Sequence, residues 1–289
     1  MRTLLVLALS ALTCSAFAQP TTPPPAAAAP AAAQPTDYTV TPAAEGVTVP
    51  GGKALKTTEL EGGLIVEDLK IGDGYEVKPG GAVVANYHGW IKDGGKVFDS
   101  TYDPAFKHNE PAGFSLNSVI EGWQKGVPGM KIGGIRRLII PSKLAYGERG
   151  NPSIPPNSDL VFVIQLINAV QTEDEKVGDG EELVTPFLAE TNYTIKDKDG
   201  KVVEQSDPKH PFIWIPNEFQ GLQYGMEGMK VGGKRKITIP KEFNHSNPQL
   251  APEGRPQDVD VTVEVECVNA RVLRPKTPTQ HPTPAPQGK

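Results

Sequence analysis

Two aromatic residues with polar ends, Trp123 and Tyr146, stand out as carriers of chemistry because a repeat isolates them. Trp123 lies in GWQKGVPGMKIGGIRRLIIP, from Gly122 to Pro141, which returns 99 residues later as GLQYGMEGMKVGGKRKITIP, from Gly221 to Pro240, with eleven of twenty positions identical. At the equivalent positions the second copy holds Leu222 and His245. A tryptophan brings a large apolar face with one N–H donor, and it tends to sit where that edge reaches a partner. The chain therefore carries one module twice, one copy able to hold a working site and the other its blunted relative. Metal and nucleophile chemistry find no footing. The five histidines, His88, His108, His210, His245 and His281, show no i, i+4 or Cys-paired ligand spacing. There is neither a G-x-S-x-G elbow nor a phosphate-binding P-loop. Cys267 alternates with Val263 and Val265 in TVEVECVNA and reads as a buried strand thiol.

The elements that must position these residues are mostly strands. Both copies are rich in Gly, Val and Ile, with short alternating runs between turn signals. VVANYHGWI ends at KDGGK and AETNYTIKD at KDGK, each a strand entering a hairpin. RRLIIP and KRKITIP read as strands stopped by Pro141 and Pro240. LVFVIQLINAV and VDVTVEVECVNA close the modules as long β-branched runs. The convincing helix is short, Val119 to Lys125, before Gly126 and Pro128 break it. An α+β fold follows, a twisted antiparallel sheet wrapped on a short helix, made twice. The basic clusters Lys131 to Arg137 and Lys230 to Lys236 alternate with apolar residues, which predicts solvated strand faces.

The first module resembles the FKBP-type peptidyl-prolyl cis/trans isomerases. The matching pieces are GDG (Gly72 to Gly74), Tyr87, FDS (Phe98 to Ser100), VIEGW (Val119 to Trp123), the G-x-x-G-M-K-x-G-G run, AYG (Ala145 to Gly147) and IPPNSDLVF (Ile154 to Phe162). They follow the family's order and spacing over about residues 62 to 170. The resemblance implies an enzyme that needs no cofactor or metal and acts on proline-containing polypeptide segments, with macrolide immunosuppressants as candidate ligands. It places Trp123 on the pocket floor, with Tyr87, Phe98, Val119, Ile120 and Phe162 as walls. Tyr146 would hydrogen-bond the substrate carbonyl, Ile154 would supply a backbone amide, and Asp99 would polarise the site near the rotating carbonyl. Taken singly, Phe98, Phe162 and Val119 read as ordinary core, and Asp99 as a turn residue.

Some positions depart from the family pattern. The loop TYDPAFKHNEPAG is longer than that of a compact member, and Ala112 stands where an aromatic is expected two residues before Phe114. Tyr102 or Phe106 are the candidates to complete the wall, and Lys107 or His108 to replace the arginine that pairs with the site's aspartate. Only GERGNPS separates Tyr146 from Ile154, so no large flap is inserted there. The second module keeps Tyr193 but has Val203, Glu204, Glu218, Phe219, Leu222, His245 and Val263 at the other pocket positions, which predicts a structural or polypeptide-binding domain without isomerase activity. The competing reading of the whole is a polypeptide-binding chaperone or scaffold whose catalysis is vestigial.

Length and ends complete the division. A chain of 289 residues with 38 % hydrophobic content accommodates two domains of about 100 residues plus tails. Residues 1–18 read as a secretory signal, with Arg2, an apolar run Leu4 to Leu12 too short for the roughly 20 residues a span needs, and Ala16-Phe17-Ala18 as the cleavage site. Export to a bacterial periplasm follows; a lipid anchor on Cys14 is disfavoured by Ala11 and Thr13. Residues 19–53 read as a Pro/Ala-rich disordered linker, 54–172 as the isomerase domain, 173–182 as an acidic linker, 183–272 as the degenerate domain and 273–289 as a disordered tail. A net charge of −5, or −6 without Arg2, opposes nucleic-acid binding.

Overall fold

The computed structural model describes residues 41–106, 110–215, 218–245 and 257–273. The signal segment with Cys14, residues 19–40, Lys107, His108 and residues 274–289 lie outside the described residues. The first module contains β1 (Lys56–Leu60), β2 (Leu64–Lys70), β3 (Ala82–Ile91), β4 (Val97–Ser100), β5 (Ala112–Ser115), helix α1 (Glu121–Gly126), β6 (Ile135–Ile140) and β7 (Leu160–Ala169). Its antiparallel sheet runs β1-β2-β6-β7-β3-β4, with β5 also on β3. The second contains β8 (Gln171–Lys176), β9 (Phe187–Asp197), β10 (Val202–Gln205), β11 (Phe212–Trp214), α2 (Gln220–Met226), β12 (Lys234–Ile239) and β13 (Val261–Val272). Its sheet runs β10-β9-β13-β12-β8, with β11 on β9. The expected architecture is present twice, with the proline stops directly after β6 and β12.

Each helix is too short to be stable by itself and is held by the sheet beneath it. The repeated glycines make that contact close. A Cβ at Gly122 would lie 2.4 Å from Ile140 Cγ2, and one at Gly126 2.7 Å from Leu138. Gly221 and Gly225 meet Ile239 and Ile237 at 2.3 and 2.2 Å in the same way. An arginine then fixes the helix end. Arg136 Nε donates to Asp68 Oδ1 at 2.7 Å while Nη1 reaches the carbonyls of Gly126 and Pro128 at 2.8 and 3.1 Å. Arg235 repeats the arrangement with Asp174, Gly225 and Glu227. This corrects the reading of the basic clusters as solvated. Arg136, Arg137 and Arg235 are buried, each paired with an acid on the neighbouring strand.

Two expected boundaries also change. Residues 41–53, read as disordered linker, lie on the outer face of the first sheet. Val49 packs with Trp90, Ile139, Val161 and Val163, His88 Nε2 bonds the Pro42 carbonyl at 2.7 Å, and Arg137 donates to Gly52 O. Their Pro- and Gly-rich composition hides one apolar anchor and a set of backbone acceptors. The acidic stretch from residue 173 is not a linker either, because β8 extends to Lys176 and pairs with β12. An edge strand is held by its backbone, so its side chains can be as polar as a linker's. Past it, Val231 donates to Glu181 O and Gly180 to Val231 O, so this stretch is built into the second module. The modules also meet through apolar surface. Ala82, Val84 and Val170 belong to the core cluster of the second module.

Replacing Arg136 with Leu strands half-buried Asp68 and two helix-end carbonyls, and is expected to lower unfolding free energy by about 2 kcal/mol, read from the urea midpoint at constant slope.

Candidate active site

The aromatic residues chosen from the sequence converge on one pocket of about 540 Å³ in the first module. It is lined by Tyr87, Phe98, Asp99, Phe114, Ser118, Val119, Ile120, Trp123, Tyr146 and Phe162. Trp123, driven into the sheet by the glycines on either side of it, forms the floor at 4 % exposure. Its ring meets Phe114 and Phe162 at 5.3 Å and Tyr87 at 5.8 Å, all edge to face. Such contacts lock the walls in place and contribute about 1 kcal/mol each beyond area burial. Phe98 stands against Phe162 at 5.4 Å. Gly89 makes room for both, since a Cβ there would lie 2.7 Å from Phe162 and 2.8 Å from Phe98. The indole N–H of Trp123 is buried and has no hydrogen-bond partner among the described residues.

One carboxylate sits at the wall of this apolar cup. Tyr87 Oη donates to Asp99 Oδ2 at 2.6 Å, and the Ser100 amide donates to Asp99 Oδ1 at 3.0 Å. Burial, then the Asp99 bond, push the Tyr87 phenol well above its ordinary range, so it remains a donor. Tyr146 stands at the rim, 39 % exposed, its phenol also raised by burial and by the Asp99 charge. Its hydroxyl makes no hydrogen bond among the described residues, which leaves it for a ligand.

Ile154 departs from the expectation. Its N–H donates to Asn151 O at 3.1 Å and Oδ1 at 2.8 Å, and its side chain is buried in the core rather than on the pocket. The Asn151 turn therefore consumes the amide that was to be offered. Tyr102 does not complete the wall, because its hydroxyl donates to Gln165 Oε1 at 2.9 Å; Phe106 is also outside the lining. The missing aromatic at Ala112 is covered instead by Phe114, together with Ser118, neither of which was chosen from the sequence. Phe114 could have been found from the two-residue period of β5, which puts it on the same face as Ala112.

In the second module the same framework is filled. Tyr193 Oη still donates to Glu204, at 2.5 Å. Strand pairing sets Phe212 and Trp214 on β9 as Ala112 and Phe114 are set on β3. The tryptophan lost at Leu222 is thus matched by one gained at Trp214, which donates to Thr191 Oγ1 at 2.8 Å. Ile195 stands where Gly89 does, opposite Val263 rather than Phe162. The space left beside Trp214, Phe219 and Leu222 is about 10 Å³. Glu218, which stands at one of the altered pocket positions, is 3 % exposed and accepts from the Ile215 amide. His245 is exposed, 3.2 Å from Asp258.

Two sheets on glycine-seated helices, one enclosing an aromatic cup and the other filled beside Leu222, describe a duplicated isomerase-type domain. The family described as FKBP-type peptidyl-prolyl cis-trans isomerase matches residues 74–167 and again 181–268, and the chain belongs to that family. It is similar to a peptidyl-prolyl cis-trans isomerase of Saccharomyces cerevisiae, 42 % identical over 132 residues, covering 43 % of this chain and 31 % of the relative. It is likewise similar to a probable FK506-binding protein of Corynebacterium glutamicum, 42 % identical over 106 residues, covering 37 % of this chain and 86 % of the relative. The crystal structure of FkpA from Escherichia coli aligns at 41 % identity and a TM-score of 0.36, over 39 % of this chain and 51 % of that one. The chain spans about a third or less of the length of several curated relatives it matches.

Because Trp214 occupies the room that Trp123 needs in the first module, Leu222→Trp is expected to overpack the second core and cost about 2 kcal/mol. Adding Trp214→Phe should recover most of that loss in the melting temperature; equal damage from both variants would refute the size exchange.

Proposed function

We propose that the first module catalyses cis/trans rotation about X-Pro bonds in polypeptides, and that the second does not. The observation that carries this is the Trp123-floored pocket with one fixed carboxylate and one unengaged phenol. Amide resonance sets a barrier of roughly 18–20 kcal/mol, so the reaction breaks no bond and needs no nucleophile. The twisted amide has lost that resonance and is less polar at oxygen than the planar one, so a dry aromatic wall favours it over the ground state. In this reading Trp123, Phe98, Phe114, Val119, Ile120 and Phe162 receive the proline side, and Tyr146 donates to a substrate carbonyl. Asp99, held by Tyr87 and the Ser100 amide, presents its charge beside the rotating carbonyl. Ile154 has no direct part.

The substrates in this proposal are proline-containing segments of folding polypeptides, where the uncatalysed step takes about 10 to 100 s. Macrolide ligands fit the same apolar cup. Residues 1–18 motivate an exported setting, a bacterial periplasm, and among the described residues no helix is long and apolar enough to cross a membrane. The domains are 41–170 and 171–272, moved from the sequence boundaries by the packing of residues 41–53 on the first sheet and by β8. The completeness of the pocket without an aromatic at 112 favours catalysis over a vestigial site.

In a proline-limited refolding assay of the full chain, Trp123→Ala should return the rate to the uncatalysed one, since the space beside Leu222, the second module's counterpart of Trp123, is only about 10 Å³. A Trp123→Ala protein with intact melting temperature and full rate would sink the assignment. Tyr146→Phe removes one hydrogen bond and should lower kcat/KM about fivefold, a loss near 1 kcal/mol. Both site phenols are shifted upward, so they stay protonated through neutral pH and lose their protons only above the usual tyrosine range. The kcat/KM profile is therefore expected to be flat from about pH 6 to 9, a range in which no ordinary tyrosine titrates.

A further inference from the structure

The strand that carries Tyr87 into the pocket carries a histidine on its other face. His88 is fully buried, and both of its ring nitrogens are engaged. Nε2 meets the Pro42 carbonyl at 2.7 Å and Nδ1 meets Ser100 Oγ at 2.8 Å. A carbonyl only accepts, so the ring proton belongs on Nε2 and Nδ1 must accept from the Ser100 hydroxyl. Ser100 Oγ in turn accepts from the amides of Tyr102 and Asp103, at 3.1 and 3.2 Å, which closes the turn after β4. A hydroxyl has one donor and two lone pairs, and here each is spent. The amide of the same serine holds Asp99 Oδ1 at 3.0 Å, so a line of contacts runs from the outer face of the sheet to the carboxylate of the pocket.

The second module shows which of these ties the sheet itself needs. Tyr193 keeps its bond to Glu204, and Ser206 clasps the Tyr193 backbone through its amide and hydroxyl as Thr101 clasps that of Tyr87. His88 and Ser100 face each other across β3 and β4; their counterparts across β9 and β10 are Thr194 and an exposed Gln205. The hairpin therefore closes without an imidazole, and the histidine goes with the copy whose pocket is open.

Only the neutral ring fits. A proton on Nδ1 would aim a donor at an oxygen with no lone pair left, and would take away the acceptor of the Ser100 hydroxyl. Burial accordingly lowers the His88 pKa from its ordinary 6.5, against the smaller upward pulls of the Pro42 carbonyl and the Asp103 carboxylate. Tyr102 on the same face bonds Gln165, and burial pushes its phenol up, so it stays neutral. Arg137 is paired with Glu67 across β6 and β2, while Glu45 and Lys96 are exposed. Folding thus favours the neutral ring, and the stability this supplies is present above about pH 6.5 and is lost as the pH falls from there through the lowered value.

We propose, on the reading of the pocket as an isomerase site, that His88 is a positioning residue for the reaction: as a neutral imidazole it fixes Ser100, Ser100 fixes the Asp99 carboxylate, and acid releases both. The proton that controls the site then binds on the opposite face of the sheet, away from the substrate.

The test follows kcat/KM of the full chain against pH by NMR exchange on a proline-containing tetrapeptide, together with the His88 Cε1–H and Asp99 Cγ signals. An acid limb is expected below the flat range, at the midpoint where His88 titrates, and the Asp99 signal should move at that same midpoint. His88→Phe and Ser100→Ala should each lower kcat/KM about tenfold at neutral pH, a buried hydrogen-bond set being lost, and should remove the limb. His88→Asn keeps an acceptor near the place of Nδ1 but takes up no proton, so it should recover that loss to within about threefold and also lack the limb. An acid limb that survives in His88→Asn, or an Asp99 signal indifferent to the His88 midpoint, would overturn the assignment. No rate from the unaltered chain at neutral pH would defeat the isomerase reading by itself, and the Asp99 signal would still decide whether His88 governs the carboxylate. If the substituted chains do not fold, agreement or disagreement of the midpoints in the unaltered chain decides.

Discussion

The structure depends on how closely a helix of six or seven residues approaches the sheet beneath it. Gly122 and Gly126 leave no side chain between α1 and the isoleucine and leucine of β6, and the distances at Gly221 and Gly225 repeat that approach in the second module. A helix this short has no stability without the contact. Arg136 and Arg235 then bind both the carbonyls at the helix end and an acid on the next strand, so helix and sheet are fixed in rotation as well as in distance. Everything chemical follows from that placement. Trp123 lies between the two glycines, and the close approach turns its ring into the pocket floor.

Given that frame, the difference between the copies is a matter of volume. Exchanging Trp123 for Leu222 would leave a cavity costing several kcal/mol. The second copy avoids it by placing Trp214 where the first has Phe114, and Ile195 where the first has Gly89. These exchanges are coupled, because Gly89 is required only while Phe98 and Phe162 crowd the same spot. The tyrosine–carboxylate hydrogen bond survives in both copies, Tyr87 to Asp99 and Tyr193 to Glu204. Its persistence in both copies means it ties the β3–β4 and β9–β10 hairpins whether or not a pocket lies above it. What distinguishes the first copy is thus the open floor, with the carboxylate already in place.

The sequence made the fold legible because its signals are local: alternating strands, proline stops, and a glycine-rich repeat whose spacing is kept. Most of the pocket was legible as well, since large aromatics on adjacent strands have few places to go. Ile154 was not, because whether a backbone amide is free depends on a turn, here the one closed by Asn151. Phe114 was overlooked in favour of Tyr102, whose hydroxyl finds Gln165 on a strand 63 residues away, a pairing no local pattern reports. The stretches read as linkers failed for a different reason. Residues 41–53 and β8 are held chiefly by backbone groups, and composition is blind to those. Arg136, Arg137 and Arg235 looked solvated because charge in a sequence implies water unless a partner acid is known, and each partner lies on another strand.

An open apolar pocket carries a standing cost, since the walls of a cup of about 540 Å³ forgo the contacts they would make in a filled core. The second module bears no such cost. It also shares apolar surface with the first, for Ala82 and Val84 of β3 pack into its core cluster, and β3 is the strand that carries Tyr87 and Gly89. One face of β3 thus lines the pocket while alternate residues near its start are packed into the core of the second module. Because a strand's two faces move as one, the solid module braces the strand on which the hollow one builds its wall. Filling one copy's pocket while the other stays open thus leaves a hollow module supported within a chain that remains folded.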